Sequence, residues 1–138
     1  QGQGQAFAGG LFGLGEVPKM SLLKMQAHDG LNCAGNPAKI IHLDGELDES
    51  TSPLLKECLK KMLEEDHFSY QFNCAKLTYI DSTGLMTFVG LKKAVSKKNG
   101  KVIIFDVSGQ MMKIFTITGL KNSIDCYPAH EQPLAEAS

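Results

Sequence analysis

Four consecutive polar residues, Asp81-Ser82-Thr83-Gly84, follow an apolar run and are the residues best placed to do chemistry. The apolar run ends at Ile80, and a spacing typical of a helix resumes directly after the tetrad. Ser82 is therefore expected at a strand-to-helix junction. One interpretation is structural, with Asp81 or Ser82 capping the helix and Gly84 giving the backbone freedom. The other is that Ser82 is placed there to be chemically modified.

Catalytic use of Ser82 finds little support in the surrounding sequence. A nucleophile elbow requires G-x-S-x-G, and no glycine precedes Ser82 at that offset. A Ser-His-Asp triad needs a histidine base, and spacing does not choose among His28, His42, His67 and His130. The chain also has no Gly-rich phosphate loop and no residues at metal-ligand spacing. We therefore expect a protein that is not an enzyme and that holds no metal or cofactor of its own.

Composition favours a soluble, cytoplasmic protein of one domain. The chain has 138 residues, ordinary apolar content and a formal net charge of −1. Such a charge gives no field that attracts nucleic acid, so no direct nucleic-acid partner is expected. No stretch approaches the roughly 20 apolar residues that span a bilayer. The four cysteines form no C-x-x-C pair, which favours reduced thiols. The lysines at 92, 93, 97 and 98 are expected to form a solvated helix face.

Strand and helix patterns alternate along the chain. Thr51-Ser52-Pro53 is typical of a helix start, with a hydroxyl side chain as the cap and proline in the first turn. Ser108 is the predicted cap of a later helix, which we expect to end at Gly119. The full prediction is strands over 21–29, 38–48, 68–80, 101–107 and 123–128, with helices over 52–65, 85–99 and from 108 to 119. This order predicts an α/β fold whose sheet is covered on one face, with the first strand antiparallel to the rest.

The predicted domain does not begin at the first residue. Residues 1–19 are rich in glycine and glutamine, and we expect a flexible N-terminal extension; whether part of it is artificial is left open. The domain itself is expected over 20–130. Residues 131–138 are polar and small, and are expected to be a tail.

Several motifs together resemble the STAS domain of bacterial anti-sigma factor antagonists. The resemblance covers about residues 20–130. It rests on LDGELD (43–48), LTYIDSTGL (77–85), GLKKAVSKKNGKVIIFDVSGQMMKIFTITGL (90–120) and the closing IDCYP. It implies an α/β fold of STAS type, a mixed sheet of four to five strands with helices mainly on one face.

The resemblance also implies a switch between partners. Proteins of this family, when unphosphorylated, capture an anti-sigma factor that is also a serine kinase of GHKL type, and so free the sigma factor. The kinase, which itself holds ATP and magnesium, phosphorylates the serine after the aspartate, and a PP2C-type phosphatase reverses the reaction. That serine matches Ser82 here, with Thr83 as a rival acceptor. Asp48 matches the acidic end of the upstream motif, on a loop expected beside the acceptor.

The predicted docking patch follows from that loop and the tetrad. It consists of six residues: Asp48, Asp81, Ser82, Thr83, Gly84 and Met86. Leu85 is expected to face the core instead. Two alternatives stay open: a STAS scaffold or accessory domain that binds a signalling assembly or a transport-system partner without a kinase cycle, and a degenerate domain in which Ser82 is only a cap.

Overall fold

The computed structural model describes residues 5–8, 22–32 and 34–129. Strands and helices alternate through most of these ranges. The strands are β1 (Gln5–Ala8), β2 (Leu22–Leu31), β3 (Pro37–Leu47), β4 (Ser69–Ile80), β5 (Lys101–Val107) and β6 (Asp125–Pro128). The helices are α1 (Ser52–Glu64), α2 (Ser82–Ser96), α3 (Gly109–Ile117) and α4 (Leu120–Ser123).

The strands of the described residues form one mixed sheet in the order β1-β2-β3-β4-β5-β6. β2 is antiparallel to both of its neighbours, whereas β3, β4, β5 and β6 run parallel. The five strands from β2 onward confirm the predicted mixed sheet of four to five strands. They also confirm that the first of them is antiparallel to the next.

β1 lies at the edge of the sheet and comes from the segment predicted to be a flexible extension. Gln5 pairs with Met25, and Ala8 pairs with Leu22. This part of residues 1–19 therefore belongs to the sheet. The rest of the predicted extension, and the predicted tail over 131–138, lie outside the described residues.

The hydrophobic core lies between one face of the sheet and the helices. Ile41 and Phe72 pair across β3 and β4 and are both buried. They join one apolar cluster with Leu55 of α1, Phe88 of α2 and Phe115 of α3. The rings of Phe72 and Phe88 meet edge to face, with centroids 5.0 Å apart. This arrangement confirms that the helices lie mainly on one face. No helix in the described part of the chain has the length and apolar character of a membrane span.

Two of the predicted caps have different outcomes. Ser108 caps α3 as predicted, since its hydroxyl accepts a hydrogen bond from the Met111 N–H at 3.1 Å. Thr51 precedes α1, but its side chain caps no helical N–H, so the predicted hydroxyl cap was wrong. The Thr51 hydroxyl instead donates to the Glu46 carbonyl at 2.7 Å and accepts from the Asp48 N–H at 2.9 Å. It therefore ties the end of β3 to the start of α1.

The chain after α3 contains a helix that the sequence did not predict. α3 ends at Ile117, and Gly119 adopts a left-handed conformation with φ of 84°. The four-residue helix α4 then begins at Leu120, which is buried. The glycine therefore turns the chain between two helices and does not lead directly to the last strand.

The described cysteines are free thiols. Cys58 and Cys126 are half-buried and Cys74 is buried. Burial raises the pKa of Cys126 to about 12, and it raises the pKa of Cys74 well above its usual range. These thiols therefore stay protonated, which is how structural core cysteines behave. Cys33 lies outside the described residues.

Candidate partner-docking site

The tetrad forms the first turn of α2, directly after β4. Asp81 precedes the helix in an extended conformation, and its Oδ1 accepts a hydrogen bond from the Gly84 N–H at 3.0 Å. Of the two caps that the sequence allowed, the structure therefore selects Asp81. Ser82 is the first helical residue and is exposed. Asp81 therefore caps the helix, and the neighbouring Ser82 exposes a hydroxyl.

The loop between β3 and α1 lies against this first turn. The Asp81 N–H donates to the Leu47 carbonyl at 3.2 Å, and the Glu49 N–H donates to Asp81 Oδ2 at 3.0 Å. One carboxylate thus caps α2 through one oxygen and holds the neighbouring loop through the other. The predicted proximity of the 45–48 loop and Ser82 follows from these bonds, although 32 positions separate Glu49 from Asp81.

Asp48 is half-buried, and its carboxylate organises its own loop. Oδ1 accepts hydrogen bonds from the Ser50 N–H at 2.9 Å and the Thr51 N–H at 3.1 Å. The Ser50 hydroxyl also donates to it at 2.9 Å. Any contact that Asp48 makes with a partner therefore comes together with a structural role in shaping the loop.

Gly84 is buried, and its importance lies in close packing. A Cβ atom at this position would lie 2.6 Å from the Leu47 carbonyl oxygen and 2.8 Å from Ile80 Cγ1. Only a residue without a side chain lets the first turn of α2 approach the end of β3 so closely. The interpretation that Gly84 supplies backbone freedom was wrong. Its place in the predicted patch is to position its neighbours.

Large exposed apolar side chains lie on both sides of Ser82 in the sequence. Met86 is 58% exposed and Tyr79 is 48% exposed, whereas Leu85 is half-buried against the core as expected. Met86 was part of the predicted patch, and Tyr79 was missed. Simple alternation could not have marked it, because Leu77, two positions before Tyr79 on β4, is buried while Tyr79 is exposed. Exposed aromatic and methionine side chains are enriched in protein interfaces.

A groove between α1 and α2 continues from Met86. Its volume is about 340 Å³, and Leu59, Leu63 and Ala94 form part of its apolar lining. Lys56 also lines it. The exposed apolar surface around Ser82 therefore extends along the two helices.

The described histidines do not hydrogen-bond Ser82. His28 and His42 bond each other, and His67 lies 3.9 Å from Glu65. His130, the fourth candidate base, lies outside the described residues. Within the described ranges, no group of three or more His, Cys, Asp or Glu side chains is arranged to hold a metal ion. What this site offers is an exposed hydroxyl on a helix N-terminus, bordered by carboxylates and by apolar surface.

A family model described as the STAS domain matches residues 24–132. The chain therefore belongs to the STAS domain family.

Curated relatives narrow this assignment. An anti-sigma-B factor antagonist of Staphylococcus epidermidis is 40% identical over 82 residues, which are 59% of this chain and 76% of that protein. An anti-sigma-B factor antagonist of Listeria monocytogenes is 32% identical over 85 residues, 62% of this chain and 75% of that protein. These relatives place the chain among the anti-sigma factor antagonists of the family.

A solved structure supports the fold. The crystal structure of an anti-sigma factor antagonist from Mycobacterium paratuberculosis matches with a TM-score of 0.62 at 15% identity. The match covers 77% of this chain and 87% of that one.

Proposed function

We propose that this protein is an anti-sigma factor antagonist controlled by phosphorylation of Ser82. In its unphosphorylated form it binds an anti-sigma factor that is also a GHKL-type serine kinase, and so releases the sigma factor. Phosphorylation of Ser82 ends that binding, and a PP2C-type phosphatase restores it. The chain needs no cofactor of its own for this cycle, because the kinase holds ATP and magnesium. Cellular ATP would place the cycle in the cytoplasm.

The observation that carries this proposal is the division of roles between Asp81 and Ser82. Asp81 caps α2 and anchors the neighbouring loop, while Ser82 is exposed on the helix N-terminus. A kinase can therefore reach the hydroxyl without breaking the cap. The relatives named as antagonists support the same assignment.

The expected effect of the phosphate falls on the partner and not on the fold. A phosphate adds about −1.5 to −2 charges. The N-terminus of α2 favours a negative charge by about 0.3–1 kcal/mol, since the helix N–H groups and the macrodipole point toward it. A docked partner instead meets added bulk and charge beside the carboxylates of Asp81, Asp48 and the exposed Glu49. We propose Asp48, Asp81, Ser82, Thr83 and Met86 as the docking patch, with Gly84 supporting it and Tyr79 as an added apolar contact.

Phosphate mapping tests the proposal. The purified protein is incubated with the GHKL-type anti-sigma factor of its source organism and ATP–magnesium, and the phosphate is located by mass spectrometry. We expect it on Ser82, lost in Ser82→Ala and kept in the matched control Thr83→Ala.

Two results would contradict the proposal. Undiminished incorporation in Ser82→Ala, mapped to Thr83, would assign the wrong acceptor. A pull-down that captures a transport-system subunit or a large signalling assembly, with no kinase and no phosphate on the tetrad, would point to an accessory or scaffolding role.

A further inference from the structure

Two histidines face each other on the side of the sheet opposite the core. His28 lies on β2 and His42 on β3, and the register pairs His42 with Gln26 and His28 with Ile40. The histidines are therefore diagonal neighbours across the two strands, a distance that long side chains bridge. Their Nε2 atoms are 3.2 Å apart, and their rings lie within 19° of parallel.

This spacing matches the separation of two imidazole ligands on one metal ion. Zn²⁺ binds histidine nitrogen at about 2.0–2.1 Å with tetrahedral geometry, which places two ligand nitrogens about 3.3–3.4 Å apart. The separation of 3.2 Å is close to that value, but the two rings point almost directly at each other, so each must turn by about 35° before both lone pairs point at one tetrahedral ion. Strands β2 and β3 thus bring together residues that are 14 positions apart in the sequence.

The outer nitrogen of His28 is held in the way that metal-binding histidines require. His28 Nδ1 lies 3.2 Å from the Asp29 carbonyl oxygen. A carbonyl only accepts hydrogen bonds, so this contact is a hydrogen bond in the tautomer that has the His28 proton on Nδ1, and that tautomer has a lone pair on Nε2. Hydrogen bonds from the outer ring nitrogen to backbone carbonyls are the usual support of histidine ligands. His42 then donates its Nε2–H to His28, and becomes a ligand when that proton moves to its own Nδ1.

The surroundings leave room for further ligands. A cavity of about 480 Å³ lies beside His42, and its polar lining includes Gln26, Asp44 and Asn73. Lys24 and Lys76 also line it, and their positive charges oppose a cation. Lys39 lies 2.7 Å from Asp29 and is neutralised by it. Two protein ligands near the positive charges of Lys24 and Lys76 predict a site of modest affinity, completed by water.

We propose that His28 and His42 form a binding site for a divalent transition metal, with Nε2 of each ring as ligand. Imidazole nitrogen suits Zn²⁺, Cu²⁺ and Ni²⁺, and Cu²⁺ binds such sites more tightly than Zn²⁺. Mg²⁺ and Ca²⁺ prefer oxygen ligands and are not expected to bind here. The sequence analysis named the two histidines only as candidate bases and did not pair them, because no spacing along the chain relates them. This site is independent of the switch at Ser82.

Calorimetric titration of the metal-free protein with Zn²⁺ and Cu²⁺ salts tests the site. We expect one saturable site per chain, with Cu²⁺ tighter, and at least a tenfold loss of affinity in His28→Ala and in His42→Ala. His67→Ala is the matched control for a histidine outside the pair, and Ser82→Ala is the control for the switch. Both should bind metal as the original protein does.

Folding of the variants is checked by circular dichroism, and His28→Gln and His42→Gln replace any alanine variant that does not fold. Imidazole nitrogen resonances give a second readout, since Zn²⁺ should shift the Nε2 signals of both histidines. Absence of saturable binding would overturn the proposal. Binding that survives loss of either histidine, or that is lost equally in His67→Ala, would also overturn it.

Discussion

The helices α1 and α2 both begin with a serine at the first helical position, and the two serines have opposite surroundings. Ser52 of α1 is fully buried, and its hydroxyl has no hydrogen-bond partner in the described chain. Ser82 of α2 is exposed. Thr51, before α1, uses its hydroxyl to tie the end of β3, whereas Asp81, before α2, caps the helix with a carboxylate. A kinase can approach only the second of these serines.

The difference shows that burial, rather than residue type or helix position, decides which of the two serine hydroxyls is accessible. A phosphate on either serine would lie at the N-terminus of a helix. At α1, however, the hydroxyl lies inside the fold, where a charge is costly. At α2, a separate residue carries the capping role, and the first helical residue is left to solvent.

The largest effect that tests this comparison is on stability, from an aspartate placed at each serine. Ser52→Asp should lower the free energy of unfolding by about 3–5 kcal/mol, because it buries an uncompensated charge. The favourable helix terminus offsets only about 0.3–1 kcal/mol of that cost. Ser82→Asp should fold normally. Urea denaturation measures both. Ser52→Ala is the control, and it should be near neutral because the hydroxyl it removes has no hydrogen-bond partner among the described residues. Equal stability of the two aspartate variants would show that burial does not distinguish the two serines.

Gly84 provides the next largest effect. Gly84→Ala should destabilise the fold by about 1–3 kcal/mol, since the new Cβ would overlap the Leu47 carbonyl and push α2 away from β3. Gly90 is the matched control on the same helix, because a Cβ there meets no atom within 4 Å. Gly90→Ala should stabilise by about 0.5–1 kcal/mol. Thermal melts of both variants check the contrast, and a harmless Gly84→Ala would show that the close approach is unimportant.

Substitutions of Asp48 test whether the loop beside α2 takes part in kinase binding. Asp48→Lys should weaken kinase binding by about 1.5 kcal/mol or more, roughly tenfold, because a close charged contact is reversed. Lys97→Glu, at the other end of α2, should have less effect. Asp48→Asn separates charge from loop structure, since the amide oxygen can still accept the Ser50 and Thr51 N–H bonds.

The measurement for Asp48 is a binding titration against the kinase at two salt concentrations. A damaging Lys97→Glu together with a silent Asp48→Lys would move the docking face to the lysines of α2. Equal loss in Asp48→Lys and Asp48→Asn would assign the effect to the removed charge and not to the introduced one.

The smallest effect concerns the cap itself. Asp81→Ala should destabilise by about 0.5–2 kcal/mol, since it removes the acceptor for the Gly84 N–H. Ser82→Ala should cost less, because Ser82 does not supply the cap. Chemical denaturation of the two single variants measures both stability costs. If Ser82→Ala costs as much as Asp81→Ala, then the division of roles between these two residues is wrong.

The sequence predicted the order of the strands from β2 onward and of the three longer helices, and it placed Ser82 between a strand and a helix, because hydrophobic periodicity and turn residues are local signals. The features that it missed depend on contacts between distant segments. Thr51 had the residue type of a cap, but the neighbouring Glu46 carbonyl and Asp48 N–H engaged its hydroxyl instead. The need for glycine at position 84 comes from its close contact with the end of β3. The proximity of Asp48 to the tetrad was predicted, because strand ends meet at one edge of the sheet. The hydrogen bond between Glu49 and Asp81 could not be predicted from the sequence.

Short and edge elements were also beyond the sequence patterns. Helix α4 has four residues, too few to show a helical period. Strand β1 lies in a glycine-rich segment and is recognised only through its pairing with β2. The contact between His28 and His42 likewise depends on the register of β2 and β3.

The proposed switch requires that a phosphate on Ser82 disrupts docking and leaves the fold intact. The most direct measurement compares the unphosphorylated and the Ser82-phosphorylated protein in calorimetric titrations with the anti-sigma factor, alongside their melting temperatures. We predict at least a tenfold loss of affinity and an unchanged or slightly raised melting temperature. Equal affinity of the two forms, or a phosphorylated form that has lost its cooperative melting, would overturn the proposed switch.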